Sequence, residues 1–374
     1  MRIAFVSLMR AFPWGGSEEL WFRAARLALA QGHSVCTLTQ KWNKTPDKIK
    51  ELERLGAEIT FYDATQYNIV EKLAIKLHAK KNESDIVPNM NADVYILSNG
   101  STWDFLYNYS LTRKILRKGN PYILISQHSF ENGHIVKPGR REDAISIIKK
   151  AEIIFFVAER NLRAAERQLG HLITNSRVIS NPINIKDVAV KAFPASARLL
   201  MACIARFDCD FKGQDILLQA LSTEQWQKRD FCLKLYGNGP HLSHLKQLIE
   251  MYALHDKVTI EGHVADVDNI WQMNQVLVLP SLSEGTPLVM VEAMLSGRAV
   301  LTTNVGDNGR YVLDNKTGFL AATASVECLS QSLEDLWGNK NTLSKMGEAA
   351  YAHAVTLVDF QPEQTLLEYI RGVH

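Results

Sequence analysis

The stretch that decides the fold reads Val276-Leu277-Val278-Leu279-Pro280-Ser281-Leu282-Ser283-Glu284-Gly285-Thr286-Pro287-Leu288-Val289-Met290-Val291-Glu292-Ala293-Met294. Its first four residues form an apolar run, which predicts a buried parallel strand. Thr286 is a good N-cap and Pro287 suits the first helical position, so a helix is expected to follow. Glu284 then falls in the turn, and Glu292 falls inside the helix.

The predicted helix start favours an anion. The backbone N–H groups of Leu288 and Val289 would point out of the helix without intrahelical partners. An acidic residue beside such a site makes sense if the ligand also carries hydroxyls. A nucleotide-sugar has both, with phosphates for the amides and sugar hydroxyls for the carboxylates. The alternative is a surface glutamate followed by a half-buried helical glutamate.

Other motifs turn this local pattern into a resemblance. Glu284 and Glu292, followed by Gly297 and the apolar strand 299–303, resemble the retaining glycosyltransferases of the GT-B fold, family 4, also called glycosyltransferase group 1. Further segments similar to that family occur in the same order: Gly15-Gly16-Ser17-Glu18, Ile204-Ala205-Arg206, Lys212-Gly213-Gln214-Asp215, Tyr236-Gly237-Asn238-Gly239-Pro240 and Gly262-His263-Val264. The resemblance covers nearly the whole chain, most firmly from about residue 200 to 320.

Strand and helix patterns alternate in both halves, which predicts parallel sheets covered by helices. The resemblance implies an α/β protein of the GT-B fold, with two Rossmann-like doubly wound domains facing a central cleft. Residues 1–190 are expected to bind the acceptor and residues 191–358 the nucleotide-sugar, and a helix in 359–374 is expected to cross back to the first domain. The sequence of residues 66–90 predicts a Lys-rich helix and a polar loop.

The resemblance also assigns roles to individual residues. Arg206 and Lys212 would grip the donor diphosphate, Glu284 would accept hydrogen bonds from the donor sugar, and Glu292 would take the ribose hydroxyls. His128, just past a strand, would lie near the donor sugar, with His134 as its competitor. The remaining expected substrate-binding residues are Gly15, Gly16, Gly237, Asn238, Gly262, His263, Val264, Gly285, Thr286, Pro287 and Leu288. Glu159 stands where the family often has serine, which leaves the acceptor side open.

No metal or other cofactor is expected. Arg206 and Lys212 can neutralise a departing diphosphate, as a metal does elsewhere. Asp208-Cys209-Asp210 is a D-x-D string, but it lies inside the loop that should hold phosphate with positive charge. Asp266-Val267-Asp268 is interpreted as the cap and first turn of a helix. The resemblance implies a front-face mechanism, in which Glu284 acts by position and charge and not as a nucleophile.

Composition sets further bounds. The chain has 374 residues, 46% of them hydrophobic and 22% charged, as in ordinary globular proteins. The five cysteines show no CxxC pair, which predicts reduced thiols in a cytoplasmic protein. The N-terminus lacks a signal-peptide layout, and no apolar run approaches the roughly 20 residues of a membrane span.

The charge is uneven along the chain. Residues 1–190 hold 27 Lys and Arg against 19 Asp and Glu, so the first half carries +8 and the rest −6. Basic clusters lie at 113–118, 137–141 and 149–150, and the first is expected to form a helix with a basic flank and an apolar edge at Ile115 and Leu116. These clusters predict peripheral contact with an anionic membrane at its inner face. The alternative is a set of solvated helices in an enzyme with a soluble acceptor. No nucleic-acid partner is expected.

The sequence therefore predicts a retaining, metal-independent glycosyltransferase that uses a nucleotide-sugar, with UDP favoured over GDP. The acceptor would be a glycan or a lipid-linked sugar in cell-surface polysaccharide assembly. The alternatives are a nucleotide-sugar 2-epimerase of the same fold and a non-catalytic nucleotide-binding module. A dinucleotide dehydrogenase is disfavoured, because residues 8–16 lack G-x-G-x-x-G after the first strand.

Overall fold

The computed structural model describes residues 1–63, 90–131, 133, 135–264 and 266–373. The chain divides into two compact units. Unit 1 comprises Met1–Pro182 and Asp359–His374, and unit 2 comprises Ile183–Val358. The division follows residue 182 and not residue 190 as expected, because Ile183 and Ile185 are buried in the core of unit 2. His134 and all but the last residue of the 66–90 segment lie outside the described residues.

Among its described residues, unit 1 contains a seven-stranded parallel sheet with the order β3-β2-β1-β4-β5-β6-β7. Successive side chains of β1 enter different cores, since Ala4 and Val6 pack on one face and Ile3 and Phe5 on the other. Its strands are β1 Arg2–Ser7, β2 Ser34–Gln40, β3 Glu58–Tyr62, β4 Val94–Asn99, β5 Tyr122–Ser126, β6 Ile153–Phe156 and β7 Ser176–Val178.

Helices cover both faces of this sheet. They are α1 Gly16–Ala30, α2 Asp47–Arg54, α3 Asp104–Tyr107, α4 Tyr109–Leu116, α5 Pro138–Lys150, α6 Glu159–Leu169 and the C-terminal α16 Pro362–Gly372. The C-terminal helix belongs to unit 1 because its Leu366, Leu367 and Ile370 are fully buried in one core with the apolar residues of α1.

Unit 2 contains a six-stranded parallel sheet with the order β10-β9-β8-β11-β12-β13. Its strands are β8 Leu199–Ile204, β9 Phe231–Tyr236, β10 Val258–Gly262, β11 Val276–Leu279, β12 Ala299–Thr303 and β13 Gly318–Ala321. The sheet order reverses between β8 and β11. Such a switch point is where α/β sheets bind ligands, beyond the carboxyl ends of the strands.

The helices of unit 2 alternate with these strands. They are α7 Cys209–Lys212, α8 Gln214–Leu221, α9 Glu224–Gln227, α10 Leu242–Met251, α11 Val267–Met273, α12 Leu288–Leu295, α13 Asn308–Tyr311, α14 Val326–Gly338 and α15 Leu343–Leu357. As predicted, Asp266 caps α11, and its carboxylate accepts a hydrogen bond from Asp268 N.

Two local predictions were wrong. Helix α12 begins at Leu288, and Thr286 is not its cap, because Pro287 takes the N-cap position in an extended conformation with no side-chain cap bond. The helix at 109–116 does not present the expected apolar edge, since Ile115 is buried in the core of unit 1 and Leu116 packs against it. None of the helices among the described residues is long and apolar enough to span a bilayer.

Candidate active site at the strand ends of unit 2

Lys212 and Glu284 meet across the switch point of the sheet. Lys212 Nζ lies 2.6 Å from Glu284 Oε1, although 72 residues separate them in sequence. Ser281 Oγ donates to the same oxygen at 2.7 Å. Both charged side chains are largely withdrawn from water, with exposures of 22% and 10%. A charge pair in such a place is held in one geometry and is screened less than a surface pair.

A glycine brings Lys212 to this position. Gly213 follows the short helix α7 with a φ of +61°, a conformation that favours glycine. A Cβ at this residue would lie 2.2 Å from the carbonyl oxygen of Pro280. The loop after β8 therefore packs directly on the loop after β11, and Leu282 N donates to Phe211 O at 2.9 Å. Contact between the two backbones places the ammonium beside Glu284.

Arg206 is the second cation of the site. It follows β8 by two residues, and its guanidinium donates to Asp208 Oδ2 at 2.5 Å. The Gln214 side-chain amide donates to Arg206 O at 2.9 Å, which ties the loop to α8. Both cations of the expected phosphate grip are thus paired with carboxylates. Their pairing limits the repulsion between two positive charges, and an anionic ligand would compete with the carboxylates.

The glycine turns after β9 and β10 border the same edge. Gly237 has a φ of +144°, and a Cβ there would lie 2.0 Å from Ala205 O. Its N–H donates to Gly262 O at 2.8 Å, which joins the loop after β9 to the end of β10. Asn238 O accepts from Phe207 N at 2.9 Å. Asn238 and His263 are exposed, and Gly262 and Val264 are half-buried.

The turn after β11 is fixed from its other side by the loop after β12. Asp307 N donates to Gly285 O at 3.0 Å. Gly306 lies against this turn, since a Cβ there would lie 2.1 Å from Gly285 O. The first N–H groups bonded within α12 are those of Met290 and Val291, both to Pro287 O. The N–H groups of Leu288 and Val289 come before these and make no hydrogen bond within the helix. A negative charge is stabilised at such a helix start.

Glu292 is buried inside α12, with 3% of its surface exposed. Asn184 N donates to Glu292 Oε1 at 2.9 Å. The segment just after Pro182 is therefore tied to the helix of the site. Glu284 and Glu292, spaced eight residues apart, belong to one strand–turn–helix unit.

One group of potential metal ligands lies in this region. Ligand atoms of Asp208, Asp210 and His241 lie within 4.8 Å of one another. Two of the three are already engaged, since Asp208 binds the Arg206 guanidinium and His241 Nδ1 accepts from Cys209 N at 3.0 Å. A guanidinium beside a ligand opposes the binding of a second cation. These contacts fit a phosphate loop better than a metal centre.

The predicted residues of unit 1 lie at strand ends of their own sheet. His128 follows β5 by two residues, is half-buried and packs edge-to-face on Phe130, with ring centroids 4.4 Å apart. Gly15 is the N-cap of α1 and Gly16 its first residue. A Cβ at Gly15 would lie 2.6 Å from the Phe12 ring, so close packing explains this glycine.

The sequence analysis assigned no role to three contributors. Ser281 orients Glu284, Gln214 fixes the Arg206 loop, and Asn184 caps the Glu292 carboxylate. Ser281 carries a signal that could have identified it, because it is the first polar residue after the apolar β11. The Asn184 contact uses only the backbone N–H, so its side chain gives no signal.

The sequence of most of unit 2 matches one known protein family. Residues 189–353 match the family described as "Glycosyl transferases group 1". This part of unit 2 is therefore similar to group 1 glycosyltransferases. The matched range contains all of the strand-end loops of unit 2 described above. It ends before the C-terminal helix and leaves out the first sheet.

Two curated relatives that the chain matches in part are also described as glycosyltransferases. The chain is 28% identical over 139 residues to an uncharacterized glycosyltransferase of Haemophilus influenzae. This alignment covers 37% of the chain and 39% of the relative. It is 31% identical over 149 residues to the D-inositol 3-phosphate glycosyltransferase of Paenarthrobacter aurescens, covering 38% and 36%. The chain thus spans well under half the length of these relatives.

The fold extends over the whole chain. The Anabaena protein HepE, crystallised with UDP and glucose, superposes with a TM-score of 0.71 at 18% identity, covering 99% of both chains. With the two parallel sheets, this likeness confirms the predicted GT-B fold class.

Proposed function

We propose that this protein is a retaining, metal-independent glycosyltransferase that moves a sugar from a nucleotide-sugar to a glycan or glycolipid acceptor. The observation that carries the proposal is the contact between Lys212 and Glu284 at the switch point of unit 2. It places a cation that can bind phosphate beside a carboxylate that can accept hydrogen bonds from sugar hydroxyls. The group 1 match over residues 189–353 supports the same reaction class.

The donor chemistry follows from the charges around the strand ends. The diphosphate replaces the carboxylates as the partner of Arg206 and Lys212, with the N-terminal amides of α12 beside it. Glu284, released from part of its ion pair, accepts hydrogen bonds from the donor sugar. Glu292 takes the ribose hydroxyls, and the loops at Gly237, Asn238 and 262–264 border the nucleoside.

The transfer proceeds on one face of the sugar. The bond between the anomeric carbon and the phosphate oxygen breaks while a bond to the acceptor oxygen forms on the same side. The acceptor proton passes to the departing phosphate, whose negative charge Arg206 and Lys212 stabilise. Glu284 forms no covalent bond.

Uridine is the proposed base, in agreement with a structural neighbour that binds UDP and glucose. A role in cell-surface polysaccharide assembly in the cytoplasm is part of the same proposal. Peripheral contact with an anionic membrane rests on exposed basic residues of unit 1 such as Arg113, Arg117 and Lys149. Because Ile115 is buried, that contact would be electrostatic and salt-sensitive.

A donor screen tests the reaction. UDP- and GDP-sugars are incubated with the purified chain in EDTA, first alone and then with a panel of acceptors. We expect slow hydrolysis of at least one UDP-sugar, faster turnover with an acceptor, and a product that keeps the anomeric configuration of the donor by NMR.

Three results would contradict parts of this account. An inverted anomer would exclude retention. Activity that disappears in EDTA and returns with manganese would make Asp208 and Asp210 metal ligands. Release of a changed nucleotide-sugar without any acceptor would favour the epimerase.

A further inference from the structure

The carboxylate of Glu284 has two donors that differ in how firmly they are held. Lys212 Nζ and Ser281 Oγ both donate to Glu284 Oε1, at 2.6 and 2.7 Å. The lysine side chain is 22% exposed, whereas Ser281 is fully buried. In the proposed donor complex the diphosphate replaces Glu284 as the partner of Lys212. The serine hydroxyl is then the donor that still holds the carboxylate.

Ser281 is fixed in turn by the neighbouring strand. β11 ends at Leu279, and Pro280 has no N–H with which to continue the backbone hydrogen bonds of the sheet. Threonine hydroxyls at the end of β12 bind the chain there instead. Thr303 Oγ1 donates to Ser281 O, and Thr302 Oγ1 donates to Leu279 O at 3.0 Å. The residues on either side of Pro280 are therefore each bonded to one threonine.

The two threonines have closely similar surroundings. Both are fully buried, and so is Asn308 of α13, whose side-chain amide donates to Thr302 Oγ1 at 2.9 Å and to Thr303 O at 3.0 Å. Water cannot replace a hydrogen bond that is lost at such a place, so each bond specifies one local geometry. The threonines differ in what lies beyond them, because only the Thr303 bond leads through Ser281 to Glu284.

We propose that Thr303 is a positioning residue for glycosyl transfer, because it fixes Ser281 and thereby the Glu284 carboxylate. The inference rests on the proposed function, since it needs a donor diphosphate that draws Lys212 away. The expected benefit is large, because a misplacement of about 1 Å at a reacting centre can cost about a hundredfold in rate.

Kinetics of the full chain with its best donor test this role. Thr303→Val keeps the branched shape and removes the hydroxyl, so kcat should fall about tenfold while the donor KM stays within about twofold. Thr303→Ser restores the hydroxyl and should return kcat to within about twofold of the wild type. The matched control is Thr302→Val, which removes the same kind of bond at an equally buried threonine. Its kcat should stay within about twofold of the wild type.

Crystal structures supply a readout that needs no turnover. They are determined in the Lys212→Met background, where Ser281 is the remaining donor to Glu284 Oε1. We expect the carboxylate to keep its place within about 0.5 Å in Lys212→Met alone and with Thr302→Val added. With Thr303→Val added, it should move by about 1 Å or occupy two positions. Ser281→Ala takes the place of Thr303→Val in both measurements if that variant does not fold.

The outcomes separate the two proposals. An undisplaced carboxylate in Lys212→Met with Thr303→Val overturns the positioning role, and so do equal losses of kcat in Thr303→Val and Thr302→Val. A displaced carboxylate in a protein whose wild type turns over no nucleotide-sugar overturns the proposed function, while the hold of Thr303 on Glu284 stands.

Discussion

Replacing Lys212 by methionine should lower turnover about a hundredfold to a thousandfold. Methionine keeps the length and apolar stem of the side chain and removes only the charge. That charge lies 2.6 Å from Glu284 Oε1 and is 22% exposed, so it acts from a position with little water. A preorganised electrostatic contact of this kind typically contributes about 2.7–4 kcal/mol to the transition state. Glu284→Gln should fall in the same range, because it loses both its charge and its orientation by Lys212.

The double variant gives the sharper result. If Lys212 and Glu284 act as one unit, the double variant should be about as slow as the slower single variant. Independent contributions would instead multiply to roughly ten-thousandfold or more. The assay is release of nucleoside diphosphate from the best donor in EDTA, with the exposed Lys246→Met of α10 as the charge-matched control. Near-wild-type turnover of Lys212→Met, or multiplicative losses, would refute this account of the site.

Three further changes follow from the packing. Gly213→Ala should lower the free energy of unfolding of unit 2 by about 2–5 kcal/mol in urea titrations, because the new Cβ would lie 2.2 Å from Pro280 O. The control is Gly32→Ala, which has a φ of +79° but no atom within 4 Å of the new Cβ, and it should lower that free energy by about 1–2 kcal/mol. Arg298→Met should cost about 3–5 kcal/mol by the same method, because this fully buried guanidinium donates to six carbonyl oxygens, each of which would lose a hydrogen bond. Glu292→Gln should raise the donor KM more than it lowers kcat, since ribose contacts bind ground state and transition state alike; a fall in kcat alone would argue against a ribose contact.

Much of unit 2 could be predicted because its strands are short apolar runs between turn residues. Strands β11 and β12 have the predicted bounds. Parallel strands present their following loops at one edge, so the order of the motifs already indicated that Arg206, Lys212 and Glu284 would converge. The start of α12 was missed by one residue, because it depends on the extended ψ of Pro287 alone.

Features that depend on tertiary packing could not be predicted in this way. Strand β7 has three residues, two of them exposed, and lacks an apolar run. The sequence around Ile115 correctly predicted a helix with one apolar side. The pattern does not say whether that side contacts lipid or the protein core.

Calorimetric titration of UDP into the purified chain in EDTA tests the central claim most directly, because it asks whether the strand ends of unit 2 hold a nucleoside diphosphate without metal. The account predicts one saturable site per chain, at least tenfold weaker in Arg206→Ala and unchanged in Lys246→Ala. Absence of binding until a divalent metal is added, or equal binding by Arg206→Ala and the wild type, would contradict it.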